Sequence, residues 1–321
     1  MKAIQSKVMR AMRLANATDG KVRFAAAEVP QPKPGAGEVL IRVRAAGVTP
    51  SELIWYPTMH TKDGAARANA IPAHEFSGVV AEVGSDVPDF QVGQEIYGMN
   101  DWFADGALAE YCVAKPSEIA PKPTKLSHIE SAAVPIAALT AWQGLIDRAH
   151  LQAGQRVLIH GASGGVGVFV VQLAHELGAY VIASASARNR DFVTQLGADE
   201  FIDYTSQRFE EVARDIDVVF DCVGGETFER SFGVLKPAGH IVTIAASEEA
   251  AALHDERRKI AFFIVEPNQQ QLIQITNLID AGKLKTFVDA VVALADAASA
   301  YDGSLKSRHG RGKIVVEIAG A

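Results

Sequence analysis

Eight residues near the middle of the chain, His160-Gly161-Ala162-Ser163-Gly164-Gly165-Val166-Gly167, carry the clearest capacity for chemistry. They follow a continuous apolar segment, residues 157–160, and precede a run with apolar residues at 166, 170, 173 and 177, the spacing of one helical face. A strand that turns through glycines into a helix offers exposed backbone N–H groups and a positive dipole end to an anion. Glycine also lets the backbone approach a pyrophosphate closely. No Gly-Lys-Ser/Thr follows, which argues against a nucleotide-hydrolysing phosphate loop. The spacing G-x-x-G-x-x-G in this setting predicts a dinucleotide site. The competing reading is a tight turn without a ligand.

A second clue is a missing charge. Sites for NAD usually place Asp or Glu after the second strand to bind the ribose 2′-hydroxyl, whereas NADP sites favour cations. The stretch Ala183-Ser184-Ala185-Ser186-Ala187-Arg188-Asn189-Arg190 has hydroxyls and two arginines but no acid. An arginine can fork onto a 2′-phosphate with charge-assisted bonds, so NADPH is the expected cofactor. At least one of these arginines is expected to be only a solvated helix end. The fourth strand of such a sheet, residues 217–221, leads into Cys222-Val223-Gly224-Gly225, a loop able to lie against the cofactor. With no base near it in sequence, Cys222 reads as a packed small hydrophobe rather than a nucleophile.

The elements that must hold these residues follow from the rest of the pattern. A chain of 321 residues is about twice the ~150 of one domain, so two are expected. Up to about residue 125 the apolar runs are short and broken by Gly and Pro, as in a compact antiparallel β domain. Ser127-His128-Ile129-Glu130 has the form of a helix capping box, and an apolar run over 131–146 reads as a helix bent at Pro135. Strand-like and helix-like segments then alternate: strands at 157–160, 180–183, 217–221, 240–245 and 261–265, helices at 166–177 and 189–196. Strands without polar alternation imply a parallel sheet covered on both faces. Residues 269–281 read as a helix, and 312–318 return to a β pattern that rejoins the first domain. The expected division is 1–127 with 268–321, and 128–267.

Composition narrows the function classes. The apolar share is 48% and the charged share 21%, ordinary for a globular chain. No stretch reaches the ~20 apolar residues of a membrane helix, so no membrane partner is expected. A net charge of −7 argues against a nucleic-acid partner. Residues 1–10 carry three cations and no apolar block, so no secretory leader is expected. Two cysteines, Cys112 and Cys222, exclude a disulfide framework and a Cys₄ metal site and fit a reducing cytoplasm.

Taken together, these motifs resemble the zinc-independent quinone oxidoreductases, related to zeta-crystallin, of the medium-chain dehydrogenase/reductase superfamily. The resemblance rests on the glycine loop, Leu196-Gly197-Ala198-Asp199, Ile202-Asp203-Tyr204, Gly37-Glu38-Val39-Leu40, Ala45-Ala46-Gly47-Val48 and His74-Glu75-Phe76-Ser77-Gly78. It extends through Gly106-Ala107-Leu108-Ala109-Glu110-Tyr111, Leu139-Thr140-Ala141-Trp142 and Gly312-Lys313-Ile314-Val315. It implies an α/β fold, a GroES-like β domain plus a Rossmann doubly wound parallel-sheet domain. It also implies that Ser186, Arg188 and Tyr204 surround the adenosine 2′-phosphate, while Thr140, Val223, Ala245, Ala246, Phe263 and Val265 flank the nicotinamide. Gly164, Gly165, Val166 and Gly167 would cradle the pyrophosphate, and Lys313 would lie near the phosphates. A homodimer joined along residues 260–265 is implied as well.

Relatives that use zinc supply its first ligand from a Cys soon after the Ala-Gly-Val turn, where this chain has Thr49-Pro50-Ser51-Glu52. His74 and Glu75 alone cannot complete a site of three protein ligands, so no metal is expected, and His74 is left facing the substrate pocket. Without a Lewis acid, hydrogen-bond donors must meet the oxygen that gains charge on hydride addition. Tyr56 and Thr49 are the expected catalytic donors, with Ser51 and Trp55 in the pocket; a half-buried loop aromatic is the alternative for Tyr56. The expected activity is NADPH-dependent reduction of a quinone or an α,β-unsaturated carbonyl. The alternatives are an alcohol dehydrogenase or aldehyde/ketone reductase, and an NADPH-binding sensor or structural protein with little turnover.

Overall fold

The computed structural model describes residues 7–16, 22–245, 259–305 and 310–318. The chain opens with an antiparallel pair, β1 (Val8–Asn16) and β2 (Val22–Pro30). Five short strands follow: β3 (Val39–Gly47), β4 (Glu75–Val83), β5 (Glu95–Met99), β6 (Tyr111–Ala114) and β7 (Ile119–Pro121). They pair antiparallel, as their short, Gly-punctuated runs predict. Two strands from the far end of the sequence, β14 (Val288–Ala293) and β15 (Lys313–Glu317), complete this seven-stranded sheet. Val316 of β15 lies opposite Ala46 of β3.

Helix α1 (His128–Ala132) starts at the predicted box: the Glu130 N–H donates to Ser127 Oγ at 3.2 Å, and the Ser127 N–H donates back to Glu130 Oε2 at 2.8 Å. The expected single bent helix is instead two. Pro135 has no N–H and crowds the preceding turn, so α1 stops and α2 (Pro135–Trp142) begins with Pro135 at its first position. The second sheet contains β8 (Arg156–His160), β9 (Tyr180–Ala185), β10 (Glu200–Asp203), β11 (Ile216–Asp221), β12 (Leu235–Thr243) and β13 (Lys259–Phe262). All its pairs are parallel. Two strand ends move from their expected places. β12 begins at Leu235 rather than residue 240, and β13 ends at Phe262 rather than 265, so Phe263 and Val265 leave the sheet for the buried core.

The strand order β10-β9-β8-β11-β12-β13 reverses between β8 and β11. In an open doubly wound sheet the ligand crevice lies outside the carboxyl ends of the strands at that reversal, here His160 and Asp221. Helix α3 (Gly167–Glu176) follows β8, and α4 (Gly225–Ser231) follows β11. Helix α5 (Gln269–Asp280) is capped by Asn268 and buries Leu272, Ile275 and Ile279 in a core shared with α2, α3 and the β5 residues Tyr97 and Met99. The Tyr97 hydroxyl donates to the Leu272 carbonyl at 2.7 Å, so the two sheets are bound through one continuous interior. Among the described residues, no helix is long and apolar enough to cross a membrane.

Candidate active site

A cavity of about 890 Å3 runs across the carboxyl ends of β8 and β11. Its floor is the glycine loop. Gly161 has φ +77°, and a Cβ on Gly167 would stand 2.2 Å from the Gly161 carbonyl oxygen, so the chain can turn from strand to helix here only with glycine at both places. Across the cleft, buried Asp221 accepts the N–H groups of Val223 and Gly224 at 2.9–3.1 Å and the Thr243 hydroxyl at 3.0 Å. This carboxylate fixes the loop that forms the opposite wall.

Ten of the expected residues line this one cavity: Thr49, Gly164, Gly165, Val166, Gly167, Ser186, Arg188, Tyr204, Val223 and Lys313. Ser186, Arg188 and Tyr204 mark one end. The Arg188 guanidinium is exposed and takes no partner among the described residues. A second arginine in the wall, Arg230, is engaged by Glu210, whose carboxyl it holds down at about 2. Sequence reasoning did not single out Arg230, nor Ser163 and Asn189, although the last two fall inside stretches it had marked. His160 also lines the cavity. Its Nε2 lies 3.2 Å from Ser231 Oγ, whose own proton goes to the Thr227 carbonyl, and burial holds the imidazole neutral at about 4.

The other expected residues lie elsewhere. Thr140 is buried behind the lining residue Ile136, to whose carbonyl it donates at 2.6 Å. Ala245 is exposed beside the lining residue Ile244, and Ala246 falls outside the described residues. Phe263 and Val265 pack in the core, where the Val265 carbonyl accepts the Trp102 indole N–H at 3.0 Å. Tyr56 is 56% exposed and stacks on His60 with ring centres 4.2 Å apart, outside the cavity wall. Ser51 is exposed, and Trp55 stands edge-on to Trp102 at 4.8 Å. His74 is buried rather than open to the cleft: Nδ1 bonds Asn100 Oδ1 at 3.0 Å, and burial lowers its pKa to about 4.

Thr49 and Lys313 form a further part of the same wall. The Lys313 stem lies against Gly165 of the glycine loop, while its ammonium donates to Thr49 Oγ1 at 3.0 Å and forms a buried ion pair with Glu75. Glu75 also accepts the Ile136 N–H at 3.0 Å, at the start of α2. Burial raises the Glu75 carboxyl, and the adjacent ammonium pulls it back down. Beneath them a second buried acid, Glu52, accepts the Tyr301 hydroxyl at 2.7 Å and the Ala73 N–H, and burial raises it to about 7. Sequence reasoning weighed Glu75 only as a metal-ligand remnant and passed over Glu52. Nothing local in the sequence distinguishes these two from the many other acidic residues of the first domain.

Two family models match the chain: an alcohol dehydrogenase GroES-like domain over residues 35–124 and a zinc-binding dehydrogenase over residues 196–316. A probable zinc-binding oxidoreductase, mitochondrial, of Arthroderma benhamiae is 33% identical over 306 residues, covering 90% of this chain and 91% of that protein. The chloroplast envelope quinone oxidoreductase homolog of Arabidopsis thaliana is 30% identical over 326 residues, covering 97% and 99%. The solved quinone oxidoreductase of Coxiella burnetii superposes with a TM-score of 0.85 at 30% identity, covering 97% of this chain and 100% of that one. The chain therefore belongs to the medium-chain dehydrogenase/reductase superfamily, as an oxidoreductase with a GroES-like domain and a Rossmann parallel sheet.

A catalytic zinc needs three converging protein donors and an open position. Here the Glu75 carboxylate is taken by the Lys313 ammonium, and a hydroxyl, Thr49, stands beside it. One His74 nitrogen is committed to Asn100, and the other lies 3.9 Å from Glu52. Cys112 is buried within β6. Among the described residues no three His, Cys, Asp or Glu converge to hold a metal, so the donor set does not fit zinc. It does suit an organic anion: a glycine floor, an exposed guanidinium and two serine hydroxyls converge on the cavity.

Proposed function

We propose that the protein is an NADPH-dependent reductase of quinones or α,β-unsaturated carbonyls that works without a metal. The observation that carries this reading is the wall after β9, where Ser186 and exposed Arg188 face the cavity and no acid follows the strand. A carboxylate there would repel a 2′-phosphate; a guanidinium and a hydroxyl bind one. Gly164 to Gly167 would hold the pyrophosphate with backbone N–H groups, and Tyr204 would flank the adenosine. Bound NADPH would supply the hydride, leaving the protein to orient the acceptor and stabilise the charge it gains.

The Thr49 end suits that second task. Lys313 donates into Thr49 Oγ1, so the threonine must direct its own proton elsewhere. Its path to Glu75 Oε1 is long, 3.4 Å, and an acceptor oxygen that gains negative charge would capture it. The ammonium behind Thr49 is held by Glu75, which fixes the direction of the threonine hydroxyl. Of the two expected donors, Thr49 is therefore assigned to the reacting oxygen, and Tyr56 to the exposed loop. Residues 1–127 with 268–321, and 128–267, would act as the two walls of the cleft. The outer edge of β13, where Ile260 to Phe262 are half-buried and Ile264 is 44% exposed, suits a homodimer seam. Two unpaired thiols suit a reducing, cytoplasmic setting.

The deciding experiment measures initial rates with NADPH and NADH against a quinone, an enone, an aldehyde and an alcohol, before and after dialysis against a chelator. NADPH-preferring reduction of the quinone or enone that survives dialysis is expected. Zinc-restored alcohol oxidation would replace this function with an alcohol dehydrogenase, and tight binding without turnover would replace it with a sensor.

A further inference from the structure

The geometry points to Arg311 as a positioning residue that sets the preference for a 2′-phosphorylated dinucleotide, an inference that rests on the NADPH reading above. Arg311 lies two residues before Lys313, at the entry to β15, yet its side chain crosses to the other sheet. Its Nε donates to Asn189 Oδ1 at 2.9 Å, and a terminal nitrogen donates to the Arg188 carbonyl at 3.1 Å. The guanidinium also lies over the Phe192 ring, 4.5 Å from its centre. One cation thus holds the backbone of Arg188 and the side chain of its neighbour.

What Arg311 does to Asn189 matters most. Asn189 is 2% exposed, and an amide side chain can be turned either way round. With its oxygen committed to Arg311, its NH2 group must face inward, where it donates to Ser163 Oγ at 3.1 Å and Ser186 Oγ at 3.3 Å. Both hydroxyls then act as acceptors toward the protein, leaving their protons available to a ligand oxygen. A guanidinium outside the cavity wall therefore prepares two donors inside it, while its bond to the Arg188 carbonyl anchors the arginine that would meet the phosphate. The next residue ties the same segment to the glycine loop, because the Gly312 N–H donates to the Ser163 carbonyl at 3.2 Å.

The test is equilibrium titration of the full chain with NADPH and with NADH, in the parent and in Arg311→Leu, Arg311→Lys and Asn189→Leu, alongside thermal melts without ligand. Arg311→Leu should weaken NADPH about tenfold and NADH less than about twofold. Asn189→Leu should do the same through the serines. Arg311→Lys should restore little, because an ammonium cannot bridge the amide and the carbonyl as a planar fork does. Equal losses for both dinucleotides, in step with a lowered melting temperature, would overturn the inference by making Arg311 purely structural. Full rescue by Arg311→Lys would overturn it by reducing the role to charge. A parent chain that binds NADH as tightly as NADPH would instead overturn the cofactor reading itself.

Discussion

At the glycine-loop end of the cavity most of the wall comes from one stretch, residues 160–189, and its shape is dictated by backbone sterics. The Thr49 end is assembled from four distant places, Thr49, Glu75, Ile136 and Lys313, and is dictated by charge. Glycines admit a backbone turn that other residues forbid, so the first region depends on side chains that are absent. The second depends on a cation and an anion that must both be present, since either alone would be an uncompensated buried charge. The first can be varied by bulk and the second by charge, with different consequences for folding and binding.

The severest way to break this contrast is to remove the cation. Lys313→Met leaves Glu75 buried without its partner and should cost about 3–5 kcal/mol of stability, read by urea unfolding. The double variant Lys313→Met, Glu75→Gln should recover most of that loss, and failure to recover would mean that the pair is not the source. Next comes bulk. A Cβ on Gly165 would stand 2.8 Å from Lys313 Cγ, so Gly165→Leu should weaken dinucleotide binding roughly 100-fold, by calorimetry, with a much smaller effect on urea unfolding. Arg188→Ala should weaken NADPH about tenfold and NADH little; equal losses would remove Arg188 from the 2′-phosphate.

A smaller effect concerns pH. Glu52 holds its proton up to about 7 when folded, against an ordinary value of 4.5, so the folded state binds more protons and stability falls as pH rises from about 4.5 to 7. His74 works in the opposite sense. Held near 4 against an ordinary 6.5, it costs stability as pH drops from about 6.5 to 4. Glu52→Gln removes only the first slope, so its melting temperature relative to the parent should climb between about pH 5 and pH 8. Parallel curves would mean that Glu52 does not titrate there. The smallest change expected is Tyr56→Phe, less than about twofold in kcat/KM.

How much could be read beforehand follows the same contrast. The loop at 160–167, the capping box at Ser127 and Glu130, and the return of the final strand to the first sheet were legible because each is written in local spacing or periodicity. Pro135 was recognised as a perturbation, but whether a helix bends or restarts depends on what receives its freed N–H groups, here the Glu75 carboxylate on Ile136. Tyr56 was set in the pocket because it follows the Ala-Gly-Val turn in sequence, and His74 because it stands in a His-Glu motif. The path of a loop is not encoded in such nearness, and one residue came out stacked in the open and the other sealed beneath Trp102. Lys313 was found as a residue but not as an interaction, since its partner lies far away in sequence. Arg311 carried no signal at all; a lone arginine between two glycines looks like solvated punctuation.

The pairing of β15 with β3 has a consequence for the order in which the molecule is made. Ala46 leaves the ribosome long before Val316, the residue it lies opposite. The strands of the parallel sheet, contiguous from β8 to β13, can find one another while β3, already paired with β4 and β6, still lacks β15, and non-local pairings of this kind form slowly. The glycine floor can thus be in place before the ammonium that neutralises Glu75 has been synthesised. A nascent chain can own the floor of its cavity while lacking the ammonium that completes the wall, so competence for chemistry waits for β15.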